Sequence, residues 1–234
     1  MKPVLILETG NPPEAIAREY GNFDNWIIDG ARLTGHQYLT VPVHQGGSLP
    51  DPANIGSVIV TGSPAMVTED LPWIHQSEIF LRQAIDLSVP VLGICFGHQL
   101  LGQALGGKAG WNPRGREIGT THISLHEMAA TDPLFESMPT IFPAHVTHMQ
   151  SVLEVPEGAV VLGGNDFDGH QVVRFSPTAW GVQFHPEFDE QIMRGYIRER
   201  SDQLIKEGLN PQTLSERVES TIDSLSLLER FVGL

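Results

Sequence analysis

A chain of 234 residues with 41% hydrophobic and 18% charged side chains can bury a substantial core, in one large domain or two small ones, and is not the composition of a disordered tract. Fourteen Lys and Arg against twenty-eight Asp and Glu leave a formal charge of -14, which repels a nucleic acid rather than steering it, so no nucleic-acid partner is expected. No apolar run approaches the roughly 18 residues needed to cross a bilayer, and the start Met1-Lys2-Pro3-Val4-Leu5-Ile6-Leu7 is too short for a secretion signal, so the sequence predicts a cytoplasmic protein with no membrane partner.

Short β-branched runs at 4–7, 38–43, 57–60 and 90–94 read as strands of a largely parallel sheet. Helical spacing lies between them at 13–20, 25–33 and 73–87, the last offering Ile74, Ile79, Phe80, Ala84 and Ile85 as an inner face. Runs at 119–125, 159–162, 171–175 and 179–184 read as shorter strands joined by Gly, Pro and Asp turns. Helical patterning returns over about 189–234, interrupted at Gly208-Leu209-Asn210-Pro211, which predicts two terminal helices. No internal repeat or linker composition appears. This order predicts one α/β domain over 1–234, with three layers, a central mostly parallel sheet flanked by helices, and a small antiparallel extension.

Cys95 is the only cysteine, which excludes an intrachain disulfide and leaves a buried inert thiol or a nucleophile. Its surroundings favour the nucleophile. Pro90-Val91-Leu92-Gly93-Ile94-Cys95-Phe96-Gly97-His98-Gln99 places Gly-x-Cys-x-Gly between an apolar strand and a helix. Glycines on both sides permit a tight strand-to-helix turn that exposes the central side chain at the carboxyl edge of a sheet. A helix N-terminus favours the thiolate, and the N–H of Phe96 is placed to meet an oxyanion.

A thiolate needs a base or ion-pair partner oriented by a third group. Ala179-Trp180-Gly181-Val182-Gln183-Phe184-His185-Pro186-Glu187 is an apolar strand running into a histidine and a carboxylate two residues apart. Glu187 could take one N–H of the His185 ring and fix its tautomer. Cys95, His185 and Glu187 are therefore the candidate catalytic residues.

With its Gly-x-Cys-x-Gly-x-Gln elbow and its Gln-Phe-His-Pro-Glu segment, the chain resembles the class I, or triad, glutamine amidotransferases, and in layout the stand-alone proteins related to the glutaminase domain of GMP synthase. The resemblance implies a flavodoxin-like α/β fold. It implies that Gly62, in Thr61-Gly62-Ser63-Pro64, joins Phe96 in an oxyanion hole, although Ser63 departs from the usual Gly-Gly-Pro. It also implies that Gln99 helps bind the substrate's amino-acid end and that Arg116-Glu117-Ile118-Gly119 borders the glutamine pocket. Main chain at Thr147 and His148 would bind the substrate α-carboxylate, although Met149 and Gln150 depart from the common pattern.

The implied reaction is thiolate attack on the amide of glutamine or another γ-glutamyl compound, loss of ammonia, and hydrolysis of a γ-glutamyl thioester. These steps require no metal and no organic cofactor. His122 with His126, and His145 with His148, have spacings that occur in metal sites, but no ligand set is completed around them in the sequence. There is no nucleotide-binding P-loop, so an ammonia-accepting synthase would be a separate subunit. Three functions stay open: a glutaminase serving such a partner, a γ-glutamyl peptide hydrolase, and a silent glutamyl-binding module.

Overall fold

A computed structural model describes residues 2–234. Strand β1 (Val4–Glu8) leads through helices α1 (Glu14–Tyr20) and α2 (Phe23–Gly30) to β2 (Tyr38–Pro42). Next come β3 (Ser57–Val60), α3 (Pro72–Asp86), β4 (Val91–Ile94) and α4 (Phe96–Ala104). Seven strands follow: β5 (Lys108–Trp111), β6 (Glu117–Leu125), β7 (Ile141–His148), β8 (Gln150–Glu154), β9 (Val160–Gly164), β10 (Val172–Ser176) and β11 (Ala179–Val182). Helices α5 (Glu190–Glu199), α6 (Ser201–Lys206), α7 (Pro211–Glu216) and α8 (Ile222–Val232) close the chain.

Nine strands form one sheet in the order β2-β1-β3-β4-β11-β10-β9-β6-β7. The pairs from β2 to β11 are parallel and those from β11 to β7 antiparallel. β5 and β8 form a separate antiparallel pair. Neighbouring side chains in a strand point to opposite faces, so each parallel strand feeds two cores. Ile6, Ile59, Leu92 and Ile94 meet Ile27 of α2 and Leu227, Leu228 and Phe231 of α8. Leu5, Leu7, Val58, Val60 and Val91 meet Ile74, Phe80 and Leu81 of α3 and Leu100 and Leu101 of α4. The result is the expected three-layer α/β domain.

Two expectations are corrected. Ile79 is 51% exposed, because the buried face of α3 follows Ile74, Ser77, Glu78, Leu81 and Ala84, and a residue five places after Ile74 is rotated away from that stripe. Four helices, not two, fill the C-terminal segment. The break at 208–211 separates α6 from α7, while Arg200, at φ -99 and ψ 8, interrupts the chain between α5 and α6.

Leu7 pairs with Val60, Val60 with Gly93, and Ile94 with Val182, so the segments leaving β1, β3, β4 and β11 emerge together at one edge of the sheet. Such an edge is where open parallel sheets gather functional side chains. No helix among the described residues is long and apolar enough to cross a membrane.

Candidate active site

Cys95 sits between β4 and α4 with φ 51 and ψ -99, a conformation that costs a residue with a side chain about 1–3 kcal/mol. Packing holds it there. Its N–H donates to Val182 O at 2.8 Å, and its carbonyl accepts from Gln99 N at 3.1 Å. The flanking glycines are required by close approach: a β-carbon on Gly93 would lie 2.3 Å from Gly97 O, and one on Gly97 would lie 2.5 Å from Val60 O. Phe96 opens α4, so its N–H has no acceptor within the helix, and its buried ring packs at 5.5 Å from Trp73.

His185 and Glu187 follow β11 to the same edge. Glu187 Oε1 accepts from His185 Nδ1 at 2.8 Å, and the Glu187 side chain is fully buried. The His185 main chain donates to His145 O of β7 at 2.8 Å, and its ring stacks on Phe188 at 4.1 Å, with Phe23 nearly parallel at 6.2 Å. The turn is pinned further by Asp189, which caps α5 by accepting from Ile192 N at 2.8 Å. Burial opposes a charge on His185, but the Glu187 carboxylate and the Cys95 sulfur outweigh it and lift the imidazole from 6.5 to about 10. The ring therefore favours the imidazolium, the form that pairs with a thiolate.

The loop after β3 is fastened to the end of β1. Thr9 N–H donates to Thr61 Oγ1 at 3.0 Å, Thr9 Oγ1 donates to Gly62 O at 3.0 Å, and Ser63 Oγ donates to Thr9 O at 2.7 Å. Ser63 thus locks the loop through its hydroxyl. Gly62 lies against the histidine: a β-carbon there would be 2.8 Å from His185 Cε1.

Around Cys95 the surface opens as a cleft with two lobes that share Cys95, Ser63, Pro64, Thr147 and Arg200. One lobe includes His185, the other Phe96, Gln99, Arg116 and His148. Gln99 Nε2 donates to Gln150 O at 2.7 Å and Gln183 Oε1 at 3.0 Å, so its amine is engaged by protein. Thr147 lines both lobes, and its buried hydroxyl has no partner among the described residues. His148 is held by Glu117, whose Oε2 accepts from its Nε2 at 2.8 Å, while Nδ1 lies 3.0 Å from Gln150 O. Arg116 lines the cleft, but Gly119 does not: it pairs with Val146, and a β-carbon there, at φ 113, would face Leu214 of α7.

The glutamine amidotransferase class-I profile matches residues 17–200. The chain belongs to that family. A GMP synthase [glutamine-hydrolyzing] of Thermosipho africanus is 29% identical over 190 residues, covering 78% of this chain and 35% of that protein. The chain thus spans about a third of the length of such relatives. Gamma-glutamyl peptidase 5 of Arabidopsis thaliana is 26% identical over 214 residues, covering 89% of this chain and 83% of that one. A glutamine amidotransferase structure from Thermotoga maritima superposes with a TM-score of 0.75 at 22% identity, covering 99% of this chain and 96% of that one, which establishes a shared fold.

Other cleft residues of this class I amidotransferase were not legible beforehand. Phe188 and Phe23 set the plane of the His185 ring, and Asn11, Pro12 and Pro13, just beyond β1, line the His185 lobe together with Tyr196 and Arg200. The position of 11–13 after a parallel strand is a usable signal; an arginine in a charged helix carries none. The other histidines at metal-like spacing have separate partners. His122 lies 3.5 Å from Glu219, His126 Nδ1 donates to Val161 O at 3.3 Å, and His145 Nδ1 lies 3.1 Å from Thr120 Oγ1. Among the described residues no cluster of three or more His, Cys, Asp or Glu could hold a metal.

Proposed function

We propose that this protein hydrolyses the side-chain amide of glutamine or a related γ-glutamyl compound, with Cys95 as nucleophile, His185 as its acid–base partner and Glu187 as the orienting carboxylate. One observation carries this: a strained cysteine at the N-terminus of α4 shares a cleft lobe with a histidine whose far nitrogen is fixed 2.8 Å from a buried carboxylate. The Cys95 thiolate attacks the amide carbon, and the N–H groups of Phe96 and Gly62 receive the oxyanion. His185 gives its proton to the departing nitrogen as the C–N bond breaks. Water then cleaves the thioester, returning the proton to the His185–Cys95 pair. The amide oxygen of Gln99, with its amine already engaged, is left to accept from the substrate's ammonium, and main chain at Thr147 and His148 meets its α-carboxylate.

A γ-glutamyl peptide hydrolase is the second reading. It is favoured by the lobe on the His185 side, which ammonia as leaving group does not need. If glutamine is the substrate, a separate synthase subunit is the natural consumer of the ammonia. Ammonia release from glutamine and amine release from γ-glutamyl amides, measured for wild type and Cys95→Ser, test the function. Loss of turnover in the variant supports it; equal turnover contradicts it.

A further inference from the structure

The His185 lobe of the cleft extends past the reacting atoms to Pro12, Phe23, Tyr196 and Arg200, the last standing where this lobe meets the one lined by Gln99. Arg200 stands apart from the arginines nearest it in space and sequence. Arg198 pairs with Glu19 at 2.8 Å, Arg194 donates to Val218 O at 2.8 Å, and Arg116 is held by both oxygens of Glu207 at 2.8 and 3.1 Å. Arg200 has no such acceptor. Its Nε is buried without a hydrogen-bond partner, and its guanidinium lies 5.9 Å from the Tyr196 ring centroid. The position is set by the break between α5 and α6, which turns residue 200 out of the helical repeat and into the cleft.

A buried cationic donor without an acceptor is unfavourable on its own, and an incoming anion removes that cost. Burial and the nearby Arg116 charge push the Arg200 pKa down, against the weaker opposing pull of Tyr196, Glu199 and Glu207. In a chain with a formal charge of -14, an unanswered guanidinium inside a cleft is also the local attraction an anionic substrate would meet.

Resting on the hydrolytic function proposed above, we infer that Arg200 binds the carboxylate of an amino-acid leaving group, so that the preferred substrates are γ-glutamyl amino acids. The chemistry fits the placement. In an α-amino acid one carbon separates the carboxylate from the nitrogen that takes the proton of His185, and His185 and Arg200 line the same lobe. A guanidinium is suited to a carboxylate because its planar fork can donate two parallel hydrogen bonds. On cleavage the amide C–N bond breaks, the acyl group stays on Cys95, and the amino acid leaves with its nitrogen protonated by His185. Arg200 takes no part in these bond changes; it selects what occupies the leaving side.

L-γ-glutamylglycine and L-γ-glutamylmethylamide have the same acyl half and differ in the leaving-group carboxylate, so they test the assignment. Arg200→Gln should lower kcat/KM for the glycine compound about 10- to 100-fold more than for the methylamide, with part of the difference recovered in Arg200→Lys. Equal loss on both substrates would place Arg200 on the glutamyl half and overturn the inference, as would no loss on either. Calorimetric binding of γ-glutamylglycine and of γ-glutamylmethylamide to Cys95→Ser, with and without Arg200→Gln, reads the same contact without turnover. A larger loss of binding for the glycine compound than for the methylamide in the double variant supports the site even if the wild type cleaves neither compound, a result that would sink the hydrolytic function alone; equal loss for both, or unchanged binding, overturns the site.

Discussion

Gly62 and His185 approach so closely that a β-carbon on the glycine would lie 2.8 Å from Cε1 of the imidazole. The ring has little room to yield. Its Nδ1 is fixed by Glu187, its face by Phe188 and its main chain by His145. Gly62→Ala should therefore shift the imidazole off its line to Cys95 and lower kcat by about 100-fold, since a displacement of an ångström has that order of effect on a reacting group. Amide-hydrolysis kinetics, with circular dichroism to establish an intact fold, check this. Undiminished kcat would mean that the ring position is not what limits turnover.

Glu187→Gln should lower kcat by roughly 10²- to 10⁴-fold while the thiol can still be alkylated, because orientation is lost and the nucleophile remains. The same change has a signature in stability. His185 is lifted from 6.5 to about 10, so the stabilisation its charge provides is complete below 6.5 and disappears as pH rises through about 10. Removing the carboxylate lowers that pKa and brings the loss to lower pH. Urea unfolding over a pH series should thus show a wild-type advantage near neutrality that shrinks toward about pH 10. An advantage independent of pH would mean that Glu187 acts only through packing.

Glu117 is the hub beneath the cleft. It accepts from His148 Nε2 at 2.8 Å, Gln171 Nε2 at 2.8 Å and Asn165 Nδ2 at 2.7 Å, drawing the end of β7 and the loop before β10 together. Glu117→Ala leaves His148 Nε2 and Gln171 Nε2 without an acceptor and Asn165 Nδ2 with Thr121 Oγ1 alone, and should destabilise the protein by about 3 kcal/mol, with a raised KM because His148 lines the cleft lobe that holds Gln99. Denaturant titration and substrate saturation curves measure the two effects. Unchanged stability would show that water or a neighbouring group takes over the acceptor's role.

The parallel half of the sheet could be read from sequence because strands buried on both faces are nearly continuous apolar runs, as in Val4-Leu5-Ile6-Leu7 and Ser57-Val58-Ile59-Val60. The elbow is legible for a related reason: Gly93 and Gly97 bracket Cys95 directly after such a run, Gly93 for a contact within the turn and Gly97 for the close approach of Val60 O on β3. β5, β7 and β8 carry no comparable strand signal. Lys108-Ala109-Gly110-Trp111 is short and half exposed, and β7 carries Pro143, His145 and His148 among its apolar residues. Partnerships across long separations were hidden as well. Glu117 finds acceptor duties 31, 48 and 54 residues away, and the isolation of Arg200 depends on which carboxylates its neighbours have taken.

The central claim is that Cys95 carries the γ-glutamyl group during turnover. Acid quenching of wild-type protein mixed with a γ-glutamyl amide, followed by peptide mass spectrometry, reads this directly, because the chain has one cysteine. The account predicts a γ-glutamyl thioester on the peptide containing Cys95, absent in Cys95→Ser and slow to form in His185→Gln. Turnover with no acyl group on that peptide, or with one on another residue, would contradict it.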